Sequence, residues 1–405
     1  MLWLGQTSTT LGQWMDQFTR GWLVYELTGS AAQLAFVSAA RAAPLLFVGL
    51  FAGVLADRMN RKNLLMFSQS INVVLNLILA LLIVSGAVEV WHVYATGVLG
   101  GIGMAVQQPA RQSIIPSVVP KEDLQNAVVL NSGTLNIGQA LGPAIGGIVV
   151  AAFGMATAYF VQTGIFIAAI LFTFSMVNPQ KLPSGSPSPS TGRGLGGGVR
   201  SRKQSDESMV ESLRAGFRYV KTNDIVFLLL MLALVPMFFG NPYQSLIPIF
   251  AADILDAGEQ ETGLLMAATG VGSVISLLLL ACMPDFARPG RVLIVTSAIY
   301  GISIALFAGA GVFLLSAGIL LVAGFMRSTY RAINHTMLLK ETDAEYRGRV
   351  NSIYLLDRGL VPLGTVLLGL MAAVIGPQTA VFIMGIVCTL GILAALAIAP
   401  RIWRI

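Results

Sequence analysis

Long apolar runs recur along this chain, and most of its lysines and arginines fall in alternate connections between them. A helix that crosses a bilayer needs about 20 mostly apolar residues. Twelve stretches qualify, at about 2–26, 32–56, 63–85, 91–110, 125–152, 156–177, 224–251, 262–283, 291–311, 313–337, 348–374 and 378–400. They are long and rich in Leu and Ala, which fits helices; membrane strands alternate over about 10 residues. Only 11% of the 405 residues are charged, against roughly 25% in a soluble globular chain. Most of the chain therefore has no water-facing surface. That excludes an ordinary soluble enzyme, a nucleic-acid-binding domain and a disordered protein. No segment reads as a cleaved signal peptide.

The cations set the orientation. Arg58, Arg61 and Lys62 follow the second span, Arg111 and Lys121 the fourth, and a cluster from Lys181 to Lys221 the sixth. Arg288 and Arg291 follow the eighth, Lys340, Arg347 and Arg349 the tenth, and Arg401 and Arg404 close the chain. The opposite loops carry only Glu26, Glu89, Asp253, Asp256, Glu259 and Glu261. Both termini and the middle segment are thus expected in the cytoplasm. The net charge of +6 belongs to this membrane-facing cation pattern and gives no reason to expect a nucleic-acid partner. Cys282 and Cys388 sit in apolar runs, and His92 and His335 are far apart, so neither a metal site nor a cofactor is expected.

A stretch rich in Pro, Ser and Gly divides the chain. The expected organisation is a six-helix bundle over 1–178, a cytoplasmic linker over 179–222 ending in a surface helix, and a second six-helix bundle over 223–405. An acidic turn enters the fifth span at Lys121-Glu122-Asp123 and the eleventh at Asp343-Ala344-Glu345. This weak repeat falls where a duplicated unit places it. Two pseudo-symmetric halves around a central path are the usual plan of secondary transporters.

Two motifs carry more than packing. After the second span stands Gly53-Val54-Leu55-Ala56-Asp57-Arg58-Met59-Asn60-Arg61-Lys62. Positive-inside anchoring accounts for Arg58, Arg61 and Lys62 but leaves Asp57 unexplained. Asp57 suits a helix cap or an arginine pair, Gly53 a close helix contact, and Asn60 a left-handed turn. In the fifth span, Gly138, Gly142 and Gly146 share one helical face, beside Gly147, and Pro143 bends the helix. A generic small-residue packing seam explains this run equally well.

Together these residues resemble the major facilitator superfamily over nearly the whole chain. The first motif is similar to its signature between helices two and three, with Asn60 where the family usually has Gly. The second is similar to its antiporter motif, which is associated with exporters. Leu2-Trp3-Leu4-Gly5-Gln6, the run from Trp22 to Ser30 and Tyr346-Arg347-Gly348-Arg349-Val350 resemble the branch with enterobactin exporters and macrolide efflux proteins. The resemblance implies an all-α integral membrane protein with 12 transmembrane helices, sitting as a monomer in the inner or plasma membrane. It also implies secondary active efflux of a siderophore or drug. Three departures stand out. The second-half turn, Pro284 to Arg291, is a degenerate copy of the first; Gly97 stands where many proton-coupled exporters carry an arginine; and the chain starts without the usual basic leader, as if truncated or misassigned there.

Charges inside spans are costly and normally face water or a partner. Arg20, Arg41, Arg327, Arg331 and Arg358 remain once the loops are set aside, with Asp16 and Asp357 as carboxylates. Asp16 and Arg20 are one turn apart and can pair. Arg327 and Arg331 share a helical face, and Asp357 can sit between them. These groups read either as structural ion pairs or as a substrate and proton path, with snorkelling a further reading of Arg331 and Arg358. The cationic excess favours anionic or amphiphilic substrates, and Asp16 and Asp357 are the candidate proton carriers. Asn131, Asn136, Gln139, Tyr159, Gln162, Asn241, Tyr243 and Gln244 are either path residues or helix-to-helix hydrogen bonds. Met237, Phe238 and Phe239 read as core or lipid-facing.

The function expected is proton-coupled antiport by alternating access, with the Asp57 to Lys62 turn as the inner gate. The alternatives are a major-facilitator importer or lysolipid flippase and, from another class, a non-transporting membrane sensor. No GxxxxGK[ST] sequence is present, which excludes a self-contained ATP-driven pump. No catalytic set accompanies His335 and Asp343, so an enzyme is not expected.

Overall fold

A computed structural model describes residues 2–45, 47–48, 60–118, 124–176, 209–283, 286–343, 345–355, 357–398 and 403. In the first half the helices are α1 (Leu2–Thr28), α2 (Ala31–Ala42), α3 (Arg61–Val84), α4 (Val90–Val118), α5 (Leu124–Phe153) and α6 (Met155–Phe174). A further helix, α7 (Met209–Thr222), precedes the second half. That half holds α8 (Asp224–Ile254), α9 (Glu259–Cys282), α10 (Pro289–Ala308), α11 (Phe313–Glu341), α12 (Arg347–Leu355), α13 (Asp357–Ile375) and α14 (Pro377–Ile398). Nine stretches among the described residues are long and apolar enough to cross a membrane. Helices α1, α2 and α4 are not among them, yet each contributes polar or charged side chains to the central cavity described below.

Bilayer-crossing helices leave apolar side chains on the outside because lipid takes the place of a second core layer. Phe67, Phe174, Leu314 and Val374 are exposed in this way. The inside is a long apolar core from Met15 and Phe18 through Tyr159 and Leu229 to Leu320 and Met384. Buried amides join helices within it. Gln69 donates to Thr9 at 3.0 Å and Thr173 at 3.1 Å, and Gln162 to Thr19 at 2.7 Å. Gln6 also bonds to Asn131.

The packing repeats between the halves. α3 lies on α6 as α10 lies on α14, and α2 on α4 as α9 on α11. The halves meet through α5 on α9 and α13 on α2, which exchange under the same correspondence. The joints repeat too. A single glycine links α5 to α6 and another links α13 to α14: Gly154 at φ 82° and Gly376 at φ 83°. Only a residue without a Cβ adopts that backbone at little cost.

Three details differ from the sequence expectations. First, α4 does not end near residue 110. It continues to Val118 and carries Arg111 inside the fold, 7% exposed, so Arg111 is not a loop residue. Second, Asn60 is not left-handed. It sits at φ −63° and ψ 116° as the N-cap of α3, accepting from the Lys62 amide at 3.0 Å. Third, α8 is not a plain helix. Pro236, Pro242 and Pro248 cannot donate to the ladder. Around them the chain passes through π, 3-10 and short α segments from Pro236 to Ile254.

Candidate functional site

A cavity of about 660 Å³ lies between the halves. On α1 its wall is Thr10, Gln13, Trp14, Gln17 and Arg20, the spacing of one helical face. Arg41 enters from α2, Gln108 and Arg111 from α4, and Asn136 and Gln139 from α5. Opposite stand Asn241, Gln244 and Ser245 from the broken part of α8, and Arg327, Arg331 and His335 from α11. The last three recur every four residues, which keeps them on one stripe.

Asp16 is the charge centre of the first half. Its carboxylate pairs with Arg20 at 3.0 Å and with Arg41 at 2.9 Å. Arg20 also donates to the Val93 carbonyl at 3.1 Å and to Thr96 Oγ1 at 2.8 Å, which ties α1 to α4. The expected Asp16–Arg20 pair is present, and Arg41 joins it. Asp16 itself is 4% exposed and stands behind the wall that Arg20 and Arg41 form. Gly97 explains why span four can do without an arginine there: a Cβ on it would stand 3.9 Å from Arg20 Nη1 and 3.9 Å from Arg41 Cβ. The neighbouring helices supply cations to the space beside it.

In the second half, Arg327 donates to Asn241 Oδ1 at 3.1 Å. His335 Nε2 lies 3.0 Å from Asn351 Oδ1. The side chains of Asp357 and Arg358 lie outside the described residues, as do Gly53, Asp57 and Arg58 of the gate motif. Of that motif's cations, Lys62 donates to the carbonyls of Phe174 at 2.6 Å and Met176 at 2.7 Å. A cation on the last carbonyls of α6 satisfies orphan acceptors and suits the helix dipole. Arg61 begins α3 beside it.

The span-five glycines press α5 onto two partners. A Cβ on Gly138 would come within 2.5 Å of Thr10, one on Gly142 within 2.7 Å of Trp14, and one on Gly146 within 2.8 Å of Phe18. Those are three successive turns of α1. Gly147 faces the other half instead, where a Cβ would meet the Glu259 carbonyl oxygen at 2.6 Å. The carbonyl of Pro143 would lie 2.5 Å from a Cβ on Gly263. On the acidic side the halves are also joined by Tyr25, which donates to Asp253 at 2.6 Å.

Among the neutral polar residues, Asn136, Gln139, Asn241 and Gln244 line the cavity, whereas Asn131 and Gln162 bond helix to helix. Tyr159 and Tyr243 are buried in the core. Met237 is a wall residue and not simply core. The sequence reading missed Arg111 and His335 as wall residues. The four-residue spacing after Arg327 and Arg331 was the available signal for His335. Arg111 had none, because a helix end facing a wet cavity has the composition of a loop.

Comparison with known proteins places this architecture. The family model described as "Transmembrane secretion effector" matches residues 1–403. The Staphyloferrin A transporter of Staphylococcus aureus (strain NCTC 8325 / PS 47) is 26% identical over 380 residues, 93% of this chain and 90% of the relative. Macrolide efflux protein A of Streptococcus pyogenes is 24% identical over 384 residues, covering 93% and 89%. The Enterobactin exporter EntS of Shigella boydii serotype 18 (strain CDC 3083-94 / BS512) is 26% identical over 341 residues, covering 82% and 75%. Among solved structures, a D-xylose–proton symporter superposes with a TM-score of 0.73 at 14% identity, over 99% of this chain and 98% of the other. A bacterial homolog of the human lysosomal transporter Spinster gives 0.72 at 15%, over 100% and 96%. The repeated packing, the central cavity and the match along the whole chain make one case: this chain belongs to the transmembrane secretion effector family of the major facilitator superfamily.

Proposed function

We propose that this protein is a secondary active efflux transporter that moves an amphiphilic or anionic small molecule, a siderophore or a drug, out of the cell by alternating access. The observation that carries the reading is the cavity wall. Arg20, Arg41 and Arg111 from one half face the same space as Arg327 and Arg331 from the other. Among the described residues no carboxylate lines that space, and Asp16 behind it offsets part of the charge. Such a wall attracts anions and repels cations. The names of the relatives, a staphyloferrin A transporter, a macrolide efflux protein and an enterobactin exporter, support the reading as a siderophore or drug transporter.

The twelve-span topology, the bundles over 1–178 and 223–405, the linker with α7 on the membrane surface, the cytoplasmic termini, the inner-membrane location and the monomeric state belong to the same proposal. Lysines and arginines on one side and acids on the other support the orientation. With the halves joined at the acidic end, the state described here is inward-facing. The turn from Asp57 to Lys62 then latches the inner gate in the opposite state, and the face of α5 at Pro143 and Gly147, set against Glu259 and Gly263 of the other half, is the seam on which the halves rock.

Proton antiport drives the cycle in this reading. Asp16 is the proton carrier in the first half and Asp357 the candidate in the second. While Arg20 and Arg41 stay on Asp16 the carboxylate remains charged; antiport then has both guanidinium groups leave Asp16 on the substrate-free return, when it carries the proton, and close on it again when substrate is loaded. Everted vesicles carrying the wild type or Asp16→Asn, with and without an imposed pH gradient, test this with a panel of siderophores, macrolides and dyes. The wild type is expected to accumulate anionic substrates only with the gradient, and Asp16→Asn to bind them without accumulation. Undiminished gradient-driven transport by Asp16→Asn removes that residue from the role. If Arg41→Ala and Arg327→Ala both transport anionic compounds at the wild-type rate, the anionic-substrate reading fails.

A further inference from the structure

Arg111 stands apart from the other arginines of the wall. Arg20 and Arg41 are held by Asp16, Arg327 donates to Asn241, and Arg331 is engaged as well. Arg111 is only 7% exposed and faces the cavity. It makes no hydrogen bond or ion pair with any described residue. An unpaired guanidinium taken out of water is strongly destabilising unless something offsets it. Snorkelling to the membrane surface does not account for it, since a snorkelling head group ends in water and not at 93% burial.

Among the described residues of α4 that reach the cavity beside it, none is charged. Gln108 faces the cavity one turn before it, while Gln107 is occupied with the side chain of Gln13 at 2.8 Å. A planar guanidinium fork with a side-chain amide beside it suits an anionic group with paired oxygens. We propose that Arg111 is a docking point for the substrate's own anion, a carboxylate or a phosphate ester, with Gln108 as the neighbouring donor. Among the described residues nothing compensates that charge, and the ligand supplies the compensation. The inference rests on the efflux reading only in treating this cavity as the transport path.

The test uses purified full-length protein in detergent, with fluorescence anisotropy of two xanthene dyes. Carboxyfluorescein is the anionic probe and rhodamine 123 the cationic one. Arg111→Gln should weaken carboxyfluorescein binding at least about tenfold, the loss expected for one charged hydrogen-bonded contact. Arg111→Lys should lose less, because it keeps the charge but not the fork. Rhodamine 123 should bind the variants as well as or better than the wild type. Displacement of carboxyfluorescein by acetate but not inorganic phosphate assigns the site to carboxylates, and the converse to phosphates. Because an unpaired buried charge is removed, Arg111→Gln should unfold at the same temperature as the wild type or a higher one.

Equal carboxyfluorescein affinity in wild type and Arg111→Gln, including no binding by either, overturns the proposal. So does parallel loss of both dyes, or a marked fall in unfolding temperature, since each marks a structural role. The efflux reading fails separately: wild-type vesicles that export no compound while the dye difference persists would refute transport and leave the Arg111 site standing.

Discussion

Asp16 is held by two guanidinium groups that reach it from different helices, Arg20 one turn along α1 and Arg41 from α2. Removing the carboxylate strands two buried cations, so Asp16→Asn should lower stability by about 3–5 kcal/mol. Adding Arg41→Met should recover part of it, and chemical denaturation of the single and double variants in detergent checks the sign. Half of this triad was legible beforehand. The i,i+4 spacing announces Asp16–Arg20, but nothing in the sequence relates position 41 to position 16, because that contact depends on how α2 lies against α1. Arg111 marks the same limit from the other side. Hydropathy separates lipid-facing from polar positions, and a residue facing an internal cavity counts as polar. Lys62 is simpler. Its ammonium on the carbonyls at and just past the end of α6 should contribute about 0.3–1 kcal/mol, and Lys62→Met should lower the unfolding free energy by that modest amount, read by chemical denaturation.

At the scale of elements, α5 packs closely against both α1 and the opposite half. Its glycines leave no room for a side chain against α1, so Gly142→Val should force α1 away from its seat at Trp14 and Met15. Overpacking of this kind costs about 1–3 kcal/mol, measurable as a drop in thermal stability. Gly147→Val acts differently, because it collides with Glu259 of the opposite half. It should spare the first half and weaken closure at the acidic end, read as lower cross-linking between cysteines placed at Tyr25 and Asp253. The glycine spacing was plain in the sequence; which partner each glycine meets was not. The broken course of α8 was half-legible. Three prolines six residues apart announce an interruption, but not the π and 3-10 segments that turn Asn241 and Gln244 toward the cavity. α7 is fastened to the second half by stacking of Tyr219 on Tyr346, centroids 4.3 Å apart, and by the Tyr219 hydroxyl on Asp343 at 3.1 Å.

For the whole molecule, the family and the all-helical membrane fold were legible because lipid imposes a coarse code: long apolar runs, with cations sorted to one side. The relative placement of the halves was not, since a packed seam and a wet cavity both draw on small and polar residues. The two native cysteines test the orientation. Cys282 ends α9 and is exposed, whereas Cys388 is buried. A membrane-impermeant maleimide should label Cys282 in everted vesicles but not in intact cells, and Cys388 in neither. Trp14, finally, stands on the cavity wall between Gln13 and Gln17, while Trp22 is 5% exposed with its indole nitrogen on Glu26 at 2.9 Å. One indole thus samples the central chamber directly. The molecule carries its own optical gauge of occupancy, and with the other four tryptophans replaced by phenylalanine, its emission would follow a cargo's arrival without any attached dye.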